Sequence, residues 1–162
     1  MTGVARKIKE KIRNCKVIAV DPHGSMQALP KEKNLQKCPF QIEGIGHDFI
    51  PRVMDREIVD DWIKIDDTES FLMARRIIKE EGLLIGGSSG GMLSAAIRYA
   101  KEKNLGEDVR ICIILPDSIR NYITKFVSDE WMVDKGHILP SEIVEKNHIL
   151  KGIPLDALKN LK

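Results

Sequence analysis

Long apolar runs are missing from this 162-residue chain, and so is any marked excess of one charge. No stretch approaches the roughly 20 apolar residues that a helix needs to cross a bilayer. Lysine and arginine number 26 against 24 aspartates and glutamates, a net of +2. That balance provides no basic face for nucleic acid or an anionic membrane surface. Cysteine is scarce: Cys15, Cys38 and Cys112 cannot all pair, and none belongs to a CxxC motif. A disulfide framework and a zinc site are therefore not expected, and a reducing, cytoplasmic compartment is. His23, His137 and His148 have no partners at ligand spacing, so no metal is expected. The basic N-terminus lacks the apolar core of a secretory signal. Val4, Ile8 and Ile12 recur there at helical spacing, which favours a folded helix over a mitochondrial presequence.

What is present is an alternation of strand-like and helix-like segments. A helix over 2–14 leads into a strand at Val17–Val20, and Asp21, Pro22 and Gly24 mark a turn. Residues 29–40 read as a surface excursion and 43–51 as a loop. Residues 53–65 read as a short acidic helix followed by an edge strand at Trp62–Ile65. Asp66 or Asp67 is positioned to cap a helix running to Glu81, with Glu69 near the capping-box position and Gly82 as its stop. That helix is expected to bury Phe71, Leu72, Ala74, Ile77 and Ile78. A strand at Leu83, a glycine turn and a helix over 88–103 follow. Val109–Leu115 is almost continuously apolar, which predicts a strand buried on both faces with Cys112 in the core. The pattern implies a parallel α/β sheet. From His137 the chain turns polar, with a break at Gly152-Ile153-Pro154.

Three segments are candidates for chemistry. The run Leu83-Leu84-Ile85-Gly86-Gly87-Ser88-Ser89-Gly90-Gly91 joins a strand to a helix start through four glycines. Glycine permits close approach to a ligand, and the unpaired N–H groups of a helix start face it. Simpler readings make Ser88 or Ser89 an N-cap and the glycines a packing device. A phosphate cradle is a further reading, although the spacing is neither GxGxxG nor a P-loop. The second segment, Pro116-Asp117-Ser118, starts a new helix at the carboxyl end of the Val109 strand. Ligands bind at that edge of an open α/β sheet. The third, Glu43-Gly44-Ile45-Gly46-His47-Asp48, offers backbone amides to a carboxylate, or is simply a loop with a solvated histidine.

In their order, these segments resemble the fold type II pyridoxal-phosphate enzymes of the tryptophan-synthase β fold, within these the cysteine synthase and cystathionine β-synthase family. The resemblance runs from Thr2-Gly3-Val4-Ala5-Arg6-Lys7 through Val20-Asp21-Pro22, Glu43-Gly44-Ile45-Gly46, Glu81-Gly82-Leu83-Leu84 and Gly86-Gly87-Ser88. It continues through Leu115-Pro116-Asp117-Ser118, Lys125-Phe126, Ser128-Asp129 and Trp131-Met132. It implies an incomplete α/β large domain over 1–136, with three or four parallel strands, and a polar, partly helical or disordered tail over 137–162. The implied reaction is β-replacement, in which serine loses its hydroxyl and homocysteine adds to give cystathionine, or related cysteine synthesis.

The resemblance assigns Ser88 as the hydroxyl that bonds the cofactor's pyridine nitrogen. A neutral hydroxyl makes the ring a milder electron sink than a carboxylate would. Glu43, Gly44, Gly46 and His47 match the loop that closes on the amino-acid substrate. Close animal relatives carry tyrosine where this chain has His47, a side chain of different reach that titrates near neutrality. The family's phosphate-binding loop and Schiff-base lysine would fall before Met1, so no catalytic residue is assigned and the chain alone is expected to be inactive. Arg6 matches an arginine near the haem of some animal members, and no paired regulatory repeat follows Pro140. An apolar sheet edge is expected, to be covered by further family sequence or by a hetero- or homo-oligomeric partner. The alternative is a non-catalytic paralogue that binds a full-length family member.

Overall fold

The computed structural model describes residues 1–143. They fall into two compact units divided after Asn121. The expected features of the tail beyond residue 143, including the Gly152-Ile153-Pro154 break, lie outside the described residues.

The first unit opens with α1 (Thr2–Lys11), whose buried contact is Ala5. Its other side is tied down by polar pairs. Arg6 meets Asp55 at 2.9 Å, and Lys9 meets Asp60 at 2.9 Å. Asp60 also accepts from the Val17 amide at 2.7 Å. That amide first, then Lys9 and Lys16, hold the Asp60 carboxyl below the usual carboxylate range against the opposing pull of partial burial. Two strands follow, β1 (Ile18–Pro22) and β2 (Asp61–Ile65). They pair in parallel, from Ile18 opposite Asp61 to Pro22 opposite Ile65. The connection between them wraps the sheet with irregular chain and one 3-10 turn at Lys31–Asn34. No helix forms over 53–60, where a short acidic one was expected. There Asp55 and Asp60 hold α1 and the start of β1 instead, so the acidic pattern serves tertiary ion pairing.

Beneath the connection lies a buried ion pair. Lys64 Nζ meets Asp21 Oδ2 at 2.7 Å, with the two side chains 8% and 1% exposed. The same ammonium donates to the Ser25 carbonyl at 3.0 Å and to Asn34 Oδ1 at 3.4 Å. Three acceptors replace the water it has lost, which is the condition for a buried charge to be tolerated.

Helix α2 (Asp67–Glu81) has the ends that the sequence predicts. Asp66 accepts from the Glu69 amide at 2.8 Å, and Gly82 closes the helix in the left-handed region at φ 69°. Phe71 and Ala74 are buried as expected, whereas Leu72 is exposed. Helix α3 (Gly87–Glu102) packs directly on α2. A Cβ added at Gly90 would stand 2.2 Å from the Ser70 carbonyl oxygen and 2.6 Å from the Ala74 nitrogen. One added at Gly91 would stand 2.4 Å from Ile65 Cδ1. Gly90 lets α3 touch the backbone of α2, and Gly91 makes room for the Ile65 and Ser70 side chains.

Three expectations about strands fail in this unit. Two strands form where three or four were expected. Leu83 starts no strand; only Ile85 makes an isolated antiparallel bridge, to Ser118. Residues 109–117 are not a strand, and Val109, Ile111, Ile114 and Leu115 are exposed along with Cys112. The cause is common to all three. Among the described residues no strand lies beside these segments, and an unpaired segment can be apolar in composition yet open to solvent. At Asp117-Ser118 the expected helix is a 3-10 turn, Ile119–Tyr122.

The second unit is small. Ser128 caps α4 (Asp129–Asp134) by accepting from the Trp131 amide at 3.2 Å. Within it the Tyr122 and Phe126 rings lie 5.4 Å apart, and Trp131 stacks on His137 at 5.6 Å.

Two substitutions separate packing glycines from idle ones. Gly90→Ala is expected to lower stability in urea unfolding by about 1–3 kcal/mol through overpacking. Gly3→Ala, where an added Cβ meets nothing within 4 Å, is expected to raise it by about 0.5–1 kcal/mol through helix propensity. In the same assay Lys64→Met should cost about 3–5 kcal/mol, because Asp21 is left buried without its counter-charge.

Candidate functional site

The site is built at the N-terminal turn of α3. Gly86 is the helix N-cap, with no side-chain capping bond. The Gly86 amide donates to the Asp117 carbonyl at 3.2 Å, and the Ile119 amide donates to the Leu84 carbonyl at 3.0 Å. Together with the Ile85–Ser118 bridge, these bonds bring the glycine turn and the Pro116-Asp117-Ser118 segment side by side. The second candidate segment is thus placed beside the first.

Ser88 lies in the first turn of α3 and is 1% exposed. The third candidate segment reaches it. A Cβ at Gly44 would lie 4.0 Å from Ser88 Oγ, so the missing side chain leaves space beside the hydroxyl. Gly44 holds φ +85° and Gly46 φ +79°, both in the left-handed region where glycine is favoured. Gly46 also presses against β1, since a Cβ there would fall 2.5 Å from Pro22 Cγ. Glu43 and His47 are exposed, and the His47 ring stacks on Phe49 at 5.1 Å. The loop is fixed at its start by Asp67, whose carboxylate accepts from the Gln41 amide at 2.6 Å and the Ile42 amide at 3.0 Å. Asp67 thus anchors the loop, a function its helix-start position in the sequence does not announce.

A buried hydroxyl at a helix N-terminus, with a glycine holding the facing surface open, is chemically suited to a heteroaromatic ring nitrogen. The hydroxyl can donate one hydrogen bond, and the neighbouring amides favour partial negative charge. Ser89, next in the helix, is fully buried and its hydroxyl has no partner. The residues present therefore fit the pyridine end of a pyridoxal-type cofactor. A separate cleft of about 370 Å³ lies along β2 and the far end of α3, lined by Lys33, Trp62, Lys64, Arg98 and Lys103 among others. It contains none of the sequence-predicted site residues. Among the described residues no cluster of three metal-ligating side chains occurs, and no helix is long and apolar enough to cross a membrane.

The family described as pyridoxal-phosphate dependent enzyme matches residues 1–117. The chain belongs to that family. Its relatives include cystathionine beta-synthase of Dictyostelium discoideum, 55% identical over 140 residues that make up 86% of this chain and 28% of that protein. The Mus musculus cystathionine beta-synthase is 53% identical over 137 residues, covering 84% of this chain and 24% of its own length. The chain therefore spans about a quarter of the curated relatives it matches. Among solved structures, an O-acetylserine dependent cystathionine beta-synthase from Helicobacter pylori superposes with a TM-score of 0.62 at 35% identity, over 76% of this chain and 38% of that one. An O-ureido-L-serine synthase superposes with a TM-score of 0.67 at 25% identity, over 82% and 42%. The family's type II α/β fold is thereby present here as a portion, with its small parallel sheet and the helices that flank it.

If Ser88 serves a ligand rather than the helix, its hydroxyl is dispensable for folding. Ser88→Ala is expected to change the urea midpoint by less than the equivalent of about 0.5 kcal/mol. A true N-cap would lose about 1 kcal/mol.

Proposed function

We propose that this chain carries the pyridine side of a cystathionine β-synthase-like active site in sulfur amino-acid metabolism. The observation that carries the reading is the juxtaposition of buried Ser88 with the Gly44 loop, in a chain 53–55% identical to cystathionine beta-synthases over most of its length. Pyridoxal phosphate, when bound, supplies the electron sink that lets serine lose its β-hydroxyl and accept homocysteine sulfur. Ser88 would hold the ring nitrogen by donating its hydroxyl hydrogen to it. Being neutral, it does not stabilise a protonated ring as a carboxylate would, which favours β-replacement over transamination. Glu43, Gly44, Gly46 and His47 form the rim that closes on the amino acid, with the amides ahead of His47 offered to its carboxylate; the His47 amide itself is bonded to Ser25. His47 stands where close animal relatives carry tyrosine, and its different reach bears on which amino acid the rim accepts.

No lysine within these 162 residues stands in the family's covalent-attachment context. The reading therefore assigns the attachment lysine and the phosphate loop to polypeptide outside these residues, supplied in cis or in trans. The exposed Leu83, Leu84, Ile114 and Leu115 are the apolar surface that this polypeptide would cover.

Two measurements test this. Pyridoxal phosphate added to the purified 162-residue chain should give no borohydride-trapped adduct that survives dialysis; a stoichiometric adduct on one lysine by mass spectrometry would sink the assignment. Co-expression with the family's upstream half should restore β-replacement. A stable complex without activity would instead identify a non-catalytic paralogue that binds its relatives.

A further inference from the structure

The loop that approaches Ser88 is held at its far end by a residue outside every site assignment so far. Ser25 is fully buried. Its Oγ accepts from the His47 amide at 3.0 Å and donates to the His47 carbonyl at 3.1 Å. The Met26 amide donates to the same carbonyl at 2.9 Å. Ser25 is itself fixed from below, because its carbonyl accepts from Lys64 Nζ at 3.0 Å while Lys64 is paired with Asp21. The preceding Gly24 has no room for a side chain, since a Cβ there would fall 1.9 Å from the Cys38 carbonyl oxygen. The turn that presents Ser25 is therefore rigid on both sides.

From this geometry we infer that Ser25 is a positioning residue for the substrate loop: its hydroxyl latches His47 and, with Asp67 at the other end, holds residues 43–46 against Ser88. The loop has two clamps of different kind. The Asp67 carboxylate fixes where it starts, through the Gln41 and Ile42 amides. The Ser25 hydroxyl fixes where it ends, satisfying both backbone groups of one residue. Between them Gly44 and Gly46 adopt positive φ, a conformation that costs glycine little but that an unclamped loop has no reason to keep. Lys64 makes the latch part of the sheet. A buried ammonium that bridges β1, β2 and the Ser25 turn transmits the register of the two strands to the position of His47.

Calling 43–47 a substrate loop rests on the function proposed above, whereas the latch itself does not. The test is amide hydrogen exchange on the full 162-residue chain, comparing Ser25→Ala and Ser25→Thr with the parent. Ser25→Ala removes one oxygen and adds no bulk. The His47 amide is expected to exchange about tenfold faster. The Ile42 amide, held by Asp67, and the Ile63 amide of β2 should keep their rates, which separates local release from global destabilisation. Ser25→Thr retains the hydroxyl and should restore His47 protection. Unchanged His47 exchange in Ser25→Ala, or equal acceleration at His47, Ile42 and Ile63, overturns the latch. In enzyme reassembled with the upstream half, Ser25→Ala should raise KM for the amino acid severalfold with a smaller effect on kcat. A parent assembly that shows no β-replacement while the exchange pattern holds would refute the functional reading and leave the latch standing.

Discussion

Everything at the α3 N-terminus depends on two helices touching without side chains between them. Gly90 lets α3 settle on the backbone of α2 at Ser70 and Ala74, and Gly91 leaves room for the Ile65 and Ser70 side chains. Because α2 is fixed by its Asp66 cap and its Gly82 stop, the contact also fixes where α3 begins. The Gly86 turn then meets Asp117, and Ser88 is held buried in the first turn of α3. The Ser88 hydroxyl is placed by a packing contact two residues further along the helix. The glycine-rich run thus divides its labour: Gly86 turns the chain, Gly90 and Gly91 pack it, and Ser88 is the residue that the proposed function assigns to the cofactor.

A second framework, polar rather than steric, organises the opposite side of the site. Lys64 and Asp21 bring a full ion pair into the interior, which is rarely the most stable way to fill that space. Here the pair has a geometric use. It joins the two strands to the turn that holds His47, and a hydrophobic replacement of Lys64 would have no directional bond to offer that turn. The two frameworks meet where Gly44 faces Ser88.

How much of this was legible in the sequence depended on the range of the interactions concerned. Helix α2 could be read almost to the residue, since Asp66, Glu69 and Gly82 act within a turn of themselves. The strands at 18–22 and 61–65 were legible for a similar reason, being short, β-branched or aromatic, and bounded by turn residues. The site residues Ser88, Gly44 and His47 were singled out by family resemblance and local glycine patterns. Ser25 and Asp67 were not, because a buried serine and a helix-start aspartate look the same whether they hold a loop or serve themselves. Val109–Leu115 was misread in the other direction. Apolar composition records what a segment is suited to pack against, while its exposure depends on which strands stand beside it, and no single segment contains that information.

The parallel pairing of β1 with β2 carries a kinetic consequence. Antiparallel neighbours can zip from a two-residue turn, but these strands enclose a connection of about forty residues that must be closed before their first bond forms. That connection contains the Ser25 turn and the 43–47 loop. The bond from Lys64 to the Ser25 carbonyl forms only once the strands have met, so the 43–47 loop gains its tie to the sheet after that closure. A loop tied to the sheet in this way therefore has a paired scaffold beneath it.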